Sequence, residues 1–159
     1  MDIRSQICQE IFDHKEEMIT LCSKMVQIPS ETPPSNTCDV AKFLYSFLED
    51  IPGVEMSFHM MEDPVQNLVV RIASGKPGKR LIFNGHLDTY PVGDLKLWDE
   101  SPWSGSIHDG FIYGRGSSDM KGGIACFLTA VRVLAQHKDA WNGEIVLTLA
   151  GDEEAMSER

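Results

Sequence analysis

Five side chains that can bind a metal ion or carry a proton follow short apolar or glycine-rich segments of this sequence. They are His86 and Asp88, then Asp119, and finally the adjacent pair Glu153 and Glu154. In an α/β fold the positions just after the strands lie along one edge of the sheet, where ligands usually bind. Histidine nitrogens and carboxylate oxygens are ligands for several divalent metals. We therefore hypothesise that the three clusters are parts of one metal centre.

His86 and Asp88 come just after residues 81–83, which are predicted to form a buried strand. If the backbone stays extended there, both side chains point to the same side. A carboxylate behind a ligand histidine fixes the tautomer of the ring and raises its basicity. A lone histidine is more often a hydrogen-bonded structural residue, so it is the position of His86 at a strand end that favours a ligand role.

Asp119 lies in a glycine-rich stretch at the predicted start of a helix. Two interpretations carry equal weight from its position alone. The helix dipole favours the ionised carboxylate that a hard metal ion requires, but aspartate is also a good helix N-cap. Gly122 and Gly123 would lie in the first helical turn, where glycine costs stability, which indicates that the space they leave is needed.

Glu153 and Glu154 directly follow residues 145–150, which are predicted to form a buried strand. Adjacent side chains diverge, so the two are not expected to share one role. One can bind a metal ion while the other takes a proton from water, whose pKa zinc lowers to about 7. Taken alone, the pair is more simply explained as a solvated acidic segment. Only its combination with the other clusters favours a role in a metal centre.

In combination, these motifs resemble those of a known family. The chain is similar to the N-terminal part of the catalytic domain of the zinc-dependent amidohydrolase and exopeptidase family that includes acetylornithine deacetylase, succinyl-diaminopimelate desuccinylase, aminoacylase and glutamate carboxypeptidase. The resemblance covers nearly the whole chain. It is carried by Val-Gln-Ile-Pro-Ser at 26–30, Gly-His-Leu-Asp-Thr at 85–89, Pro-Trp at 102–103, Asp-Gly at 109–110, Tyr-Gly-Arg-Gly at 113–116, Ser-Asp-Met-Lys-Gly-Gly at 118–123 and Asp-Glu-Glu at 152–154.

The resemblance implies a role for each of the five residues. His86 would bind one metal ion and Glu154 the other, and Asp119 would bridge both and precede a cis peptide bond. Glu153 would be the general base and acid, and Asp88 the carboxylate behind His86. The implied cofactor is Zn²⁺, two ions per active site, although such mixed ligands also suit Co²⁺ or Mn²⁺.

The implied reaction is the hydrolysis of an amide bond in an N-acyl amino acid or a small peptide. A water bridging the two zinc ions would attack the carbonyl carbon, the metals would stabilise the oxyanion, and Glu153 would pass the proton to the leaving amine. Between the possible substrates, the resemblance favours the deacylase and desuccinylase branch over the peptidase branch.

The order of the predicted elements indicates an α/β fold. Residues 2–28 are predicted to form one long helix or two helices in series, and residues 38–50 a further helix. Both segments carry apolar stripes at helical spacing, interpreted as core packing. Residues 67–73 and 81–83 are predicted as two strands of a hairpin joined by a Gly/Pro turn. A further helix and the strand before the acidic pair follow. We therefore predict a three-layer α/β/α sandwich with a mixed sheet.

The resemblance also implies that this domain is incomplete. Residues 1–159 correspond to the N-terminal portion of a metallohydrolase catalytic domain, and the second domain that relatives use for dimerisation and substrate contact is absent. The remaining strands of the sheet are missing as well, so we expect an exposed strand edge and unburied apolar surface. A homodimer is expected for a full-length relative.

Composition limits the possible partners and compartment. The chain has 159 residues and a net charge of -10, which argues against nucleic acid or an anionic membrane as a partner, because both require a basic face. The four cysteines form no C-x-x-C pair and indicate reduced thiols rather than disulfides. No signal sequence or apolar run of membrane-spanning length is present. We expect a cytoplasmic protein with a small-molecule substrate.

Two functional hypotheses stay open. Relatives supply a further acidic ligand and a late histidine ligand beyond the acidic pair, so this chain offers two of the three protein ligands expected for each ion. Metal binding by the chain alone is therefore expected to be weak or absent. In the first hypothesis the chain is a metal-dependent amidohydrolase; in the second it is a truncated, non-catalytic fragment, inactive alone or acting only as a partner chain. A phosphate-binding domain is disfavoured because the order G-x-x-x-x-G-K-[ST] is missing.

Overall fold

The chain folds as one four-stranded sheet with helices packed on it, and the structure, a computed structural model, describes residues 2–155. The segment predicted as one long helix or two in series is two helices that meet at His14. The helices are α1 (Ile3–Asp13), α2 (Lys15–Val26), α3 (Cys38–Leu48) and α4 (Gly122–Gln136). The strands are β1 (Val54–Glu62), β2 (Val65–Ala73), β3 (Arg80–His86), β4 (Ile107–His108), β5 (Phe111–Ile112) and β6 (Glu144–Ala150).

The sheet is mixed, as predicted. Its strand order is β1-β2-β6-β3, with β1 antiparallel to β2 and β2 antiparallel to β6. Strands β3 and β6 are parallel neighbours, and the connection between them contains α4. The α/β fold class is therefore confirmed, and β4 and β5 form a separate small hairpin.

The predicted hairpin between β2 and β3 is wrong, because β6 lies between them. The Gly/Pro turn after β2 does not lead back along that strand. It packs instead against the start of β6, where Gly143 donates to the carbonyl oxygen of Lys76 (3.0 Å) and Glu144 to that of Lys79 (3.1 Å). A side chain at Gly143, which has φ +92°, would overlap the backbone of Lys79. Only glycine lets the turn approach β6 this closely.

One face of the sheet carries the core. Alternate residues of β2 and β6 pair across this face, Leu68 with Leu149 and Val70 with Leu147, and all are almost fully buried. Helices α2, α3 and α4 contribute to the same apolar cluster, so their stripes are core packing as predicted. Helix α1 has no buried residue, so for this helix the prediction of core packing is wrong.

Strand β3 is an edge strand of the described sheet, and this corrects the prediction that residues 81–83 are buried. Leu81 and Ile82 are 52% and 56% exposed, because β3 has a neighbouring strand only on its β6 side. The exposed edge agrees with an incomplete domain. Within residues 2–155, α2, α3 and α4 pack on one face of the sheet, so two of the three predicted layers lie in this part of the chain.

The opposite face of the sheet carries a charged network beside apolar side chains that include Ile82 and Val146. Arg71 binds Glu55 (2.8 Å) and Glu144 (2.5 Å), and Arg80 also pairs with Glu144. The four cysteines are free thiols. Among the helices of residues 2–155, none combines the length and the apolar character needed to cross a bilayer.

Candidate metal centre

His86 is the last residue of β3, and its two ring nitrogens face different partners. The side chain is buried. Nδ1 lies 2.9 Å from the backbone oxygen of Asp88 and 3.6 Å from its carboxylate. Nε2 lies 3.0 Å from Oδ1 of Asp119. Hydrogen bonds to Asp88, and then to Asp119, raise the pKa of His86 to about 9 although burial opposes the charge. Because Nδ1 is engaged by the backbone oxygen of Asp88, Nε2 is the nitrogen that can bind an ion.

Asp88 is fully buried and connects the histidine to the acidic pair. Its carboxylate accepts backbone N–H bonds from Glu153 (3.1 Å) and Glu154 (2.9 Å) and a hydroxyl bond from Thr32 (2.8 Å). Burial disfavours the ionised carboxyl, but the bonds from His86, Thr32 and the two backbone groups outweigh it and hold the pKa of Asp88 below its usual value. With no exposed surface, Asp88 can act only by positioning other residues.

Two hydroxyl residues of the loop between α2 and α3 complete this network. Thr32 and Ser35 lie 2.6 Å apart, both buried, and Ser35 donates to Asp152 (2.7 Å). The loop thus contacts the histidine side of the site through Asp88 and the acidic turn through Asp152. The only signal in the sequence was a group of hydroxyl residues among prolines, which did not indicate what they would bind.

Asp119 does not begin α4, so the interpretation of this residue as a helix N-cap is wrong. Its backbone is extended (φ -121°, ψ 100°), and the N-cap position belongs to Lys121. The peptide bond to Met120 is cis, as the resemblance implies. Gly122 is required here, because a Cβ atom would overlap the carbonyl oxygen of Ser117. This turn leaves the Asp119 carboxylate 78% exposed beside His86.

The acidic pair follows β6 directly and reaches the same place. Oε2 of Glu153 lies 3.9 Å from Nε2 of His86, and the Glu153 side chain is 61% exposed. Glu154 offers a carboxylate oxygen to a group that also contains His86 and Asp119, with all three ligand atoms within 4.8 Å of one another. Within residues 2–155 this is the one group of three such side chains close enough to share an ion.

A cleft of about 330 Å³ opens beside this group. Asp119 and Glu154 line it together with Tyr90 and Arg115. The guanidinium carbon of Arg115 lies 5.3 Å from the ring centroid of Trp98, a cation–π contact that limits the positions of the side chain. The cleft therefore combines carboxylates, a cation and an aromatic hydroxyl, which suits a small polar molecule.

Comparison with known proteins identifies the motif-bearing segment. Residues 82–158 match the model of Peptidase family M20/M25/M40. The match confirms the predicted family resemblance over these residues. The M20 match includes all five of the residues singled out above.

Two curated relatives of this chain are named succinyl-diaminopimelate desuccinylase. The chain is 38% identical over 144 residues to a succinyl-diaminopimelate desuccinylase from Methylorubrum extorquens, covering 86% of this chain and 35% of that protein. It is 36% identical over 141 residues to a protein of the same name from Hydrogenovibrio crunogenus, covering 87% and 35%. The chain thus spans about a third of the length of these relatives.

Solved structures of other proteins share the fold. A metallo-carboxypeptidase of this family from Sulfolobus solfataricus superposes with a TM-score of 0.76 at 26% identity, covering 87% of this chain and 31% of that one. Human carnosine dipeptidase 1 gives a TM-score of 0.80 at 22% identity, covering 95% and 35%. The second likeness is one of fold alone.

The raised pKa of His86 predicts that the metal-free protein loses stability between pH 6.5 and 8. Unfolding returns the pKa to about 6.5, so in this range the native state holds a proton that the unfolded state has lost. The stabilisation is complete below pH 6.5 and disappears as pH rises through about 9. Burial lowers the pKa of Lys121 to about 8, so Lys121 opposes the trend above pH 8, where unfolding lets it regain a proton.

Urea denaturation with a chelator present measures this effect. We expect the free energy of unfolding to fall by about 2 kcal/mol from pH 6.5 to 8, since one pKa unit corresponds to about 1.4 kcal/mol. The variant His86→Gln, which cannot titrate, should have a flatter profile. Equal slopes for the two proteins would contradict the expectation.

Proposed function

We propose that this chain is the N-terminal portion of the catalytic domain of a metal-dependent amide hydrolase, with His86, Asp119 and Glu154 holding a divalent ion. The observation that carries the proposal is the convergence of their three ligand atoms within 4.8 Å. The lengths of the curated relatives, of which this chain spans 35%, support the assignment to a portion of a larger domain.

The donor set fits a divalent ion. With Asp119 shared, the three side chains give each of two ions two of the three protein ligands that a catalytic zinc site usually has. Of the carboxylates, Asp119 has a second oxygen and is largely exposed, so it can be shared between two ions. We infer Zn²⁺, two ions per complete site, with Co²⁺ or Mn²⁺ as chemically suitable substitutes.

Each of the remaining residues has a role in the proposed reaction. When bound, the metal polarises the amide carbonyl and stabilises negative charge on its oxygen. Glu153, exposed at the site 3.9 Å from His86 Nε2, takes a proton from water and delivers it to the leaving amine. Asp88 fixes the ring of His86 through Nδ1 and holds the backbone of the acidic pair.

The proposed substrate is an N-acyl amino acid or a small peptide. The desuccinylase relatives favour removal of an acyl group from an amino group. Arg115 in the cleft beside the carboxylates supports a substrate that carries a carboxylate, because guanidinium groups bind carboxylates through paired hydrogen bonds.

A second candidate function is that of a partner chain without activity of its own. The exposed edge of β3, with Leu81 and Ile82 half-exposed, favours it, because an unpaired strand edge can accept a strand from another chain. In this case the three ligands would bind an ion tightly only after association.

Calorimetric titration of the purified chain with Zn²⁺ tests the proposal. We expect weak but measurable binding, lost in both His86→Ala and Asp119→Ala because each removes one of three ligands. The matched control is Asp139→Ala, which removes a fully exposed carboxylate that lies near Lys76. Binding that survives both ligand variants would contradict the assignment, and no binding by any of the proteins would favour the partner-chain function.

A further inference from the structure

Lys121 is a completely buried cation close to the candidate metal centre. Its side chain is 1% exposed and is the largest of the fully buried side chains. The ammonium group donates to the backbone oxygens of Met25 (3.0 Å) and Ile28 (2.8 Å), at the end of α2 and just beyond it. In the sequence these contacts span more than 90 residues. Lys121 follows Asp119 by two positions.

The partners of the ammonium group are unusual for a buried charge. Burying an ion costs several kcal/mol unless its hydrogen bonds are replaced. Within the described part of the chain, no carboxylate lies within ion-pair distance of Lys121. One partner is the Met25 carbonyl in the last turn of α2, which also accepts the backbone N–H of Ile28 (3.1 Å). The other is the Ile28 carbonyl just beyond the helix. Both lie at the end of α2 that carries the negative end of the helix dipole. The lysine thus caps α2 from a distant part of the chain.

The segment that Lys121 binds also contacts the chain just after the His86 strand. The hydroxyl of Ser30 donates to the carbonyl oxygen of Leu87 (2.7 Å). The backbone oxygen of Ser30 accepts from the backbone N–H of Thr89 (2.9 Å). These bonds fix the backbone on both sides of Asp88. Residues 25–30 therefore contact the His86 strand end through Ser30 and the Asp119 turn through Lys121.

The turn that carries Asp119 is built around the stem of the lysine. The Lys121 backbone N–H donates to the carbonyl oxygen of Gly116 (2.9 Å). A side chain at Gly116 (φ +85°) would come within 2.7 Å of the Thr89 methyl group and 3.2 Å of Cδ of Lys121. The stem therefore fills the space between the turn and the end of the His86 strand.

We propose that Lys121 is a positioning residue of the metal centre, whose buried ammonium fastens the Asp119 turn to the end of α2 and so sets the Asp119 carboxylate beside Nε2 of His86. The inference rests on the proposed function of the site. It differs from a purely structural role, because it requires the geometry of Asp119, and not only the stability of the fold, to depend on the ammonium group.

The variant Lys121→Met tests this, because it keeps an unbranched stem and removes the donors. Its matched control is Lys24→Met, in the last turn of α2. The first measurement is titration with Co²⁺, followed by visible absorption, under conditions where circular dichroism shows every protein folded. We expect Lys121→Met to weaken Co²⁺ binding at least tenfold, in the range seen for residues that orient metal ligands, and to change the absorption spectrum. Lys24→Met should do neither.

A second measurement needs no metal ion and separates the inference from the proposed function. The ¹⁵N signals of the His86 ring, assigned by their loss in His86→Gln, report its two sides independently. We expect Lys121→Met to shift the signal of Nε2, the nitrogen that faces Asp119, and to leave the signal of Nδ1, which faces Asp88, unchanged. If wild type binds no Co²⁺ but Lys121→Met still shifts the Nε2 signal alone, the proposed function fails and the positioning role stands.

Two results would overturn the inference. One is a lower melting temperature for Lys121→Met with unchanged Co²⁺ affinity, spectrum and Nε2 signal, which describes a stabilising lysine only. The other is a shift of both ring nitrogens together, which describes general disorder of the site. If Lys121→Met does not fold, Lys121→Gln, which keeps one donor group on a shorter stem, is measured in the same way with the same expected directions.

Discussion

Asp88→Asn is expected to destabilise the protein by about 3 kcal/mol, the loss typical when one member of a buried charged network is removed. Both carboxylate oxygens of Asp88 are acceptors: Oδ1 for the backbone N–H of Glu153, and Oδ2 for the N–H of Glu154 and the hydroxyl of Thr32. An asparagine amide must place its NH₂ group at one of these positions. In either orientation it then faces a backbone donor, which stays buried without an acceptor.

The same substitution should weaken metal binding by about ten- to a hundredfold. The His86 ring loses the negative charge 3.6 Å from Nδ1, and the backbone of the acidic pair loses an acceptor. Urea denaturation and metal titration measure the two effects. Asp139→Asn, at a fully exposed carboxylate, is the control and should change neither by more than about 0.5 kcal/mol. A loss of less than about 1 kcal/mol in Asp88→Asn would show that the buried network contributes little.

Glu153→Gln and Glu154→Gln are expected to have different effects although the residues are adjacent. Glu154 belongs to the group of three ligand atoms, so its conversion to a neutral amide should weaken metal binding strongly. Glu153 is outside that group and largely exposed, so its variant should bind metal nearly as well as wild type. As the proposed proton carrier, however, Glu153 should contribute about 10²- to 10⁴-fold to the rate of amide hydrolysis.

The two readouts are metal titration and release of amine from an N-succinyl amino acid by the metal-loaded protein. The adjacent variants serve as controls for each other, because both replace one exposed or partly exposed carboxylate in the same turn. Equal losses of metal affinity in the two variants would contradict the division of roles. So would a Glu153→Gln protein that keeps full hydrolytic activity.

Local patterns in the sequence predicted most elements well. The bounds of β6 agree with the prediction within one residue, because a short, nearly continuous apolar run is typical of a buried strand. The stripes of α3 and α4 likewise correspond to buried residues. In these elements the side chains that decide the structure are neighbours in sequence.

The errors came from contacts between residues far apart in the chain. Nothing in residues 67–83 indicates that a strand from position 144 will insert between β2 and β3. An apolar run such as residues 81–83 also does not indicate whether another strand covers its edge. The exposure of β3 depends on its place in the sheet rather than on its composition.

The sequence indicated which residues form the candidate site but not which other residues hold them in place. His86, Asp119 and Glu154 could be chosen by residue type and by family motif, and the structure brings them together. The hydroxyl of Thr32 and the ammonium of Lys121 act on residues 56 and more than 90 positions away. A threonine in a loop has an ordinary local explanation, and the motif at 118–123 includes Lys121 but gives no role to it.

The parallel pairing of β3 with β6 also limits how this site can vary. Seven residue pairs, from Arg80 with Glu144 to His86 with Ala150, keep the two strands in register. Because side chains alternate between faces, a shift of one residue would turn His86 to the other face of the sheet and move it about 3.3 Å along the strand. An insertion or deletion within either strand would therefore separate the histidine from the acidic pair even if every ligand were kept. Tolerance of length changes at this site must lie in the connecting loops, and a design that transfers the ligands to another scaffold must transfer the spacing of two strands with them.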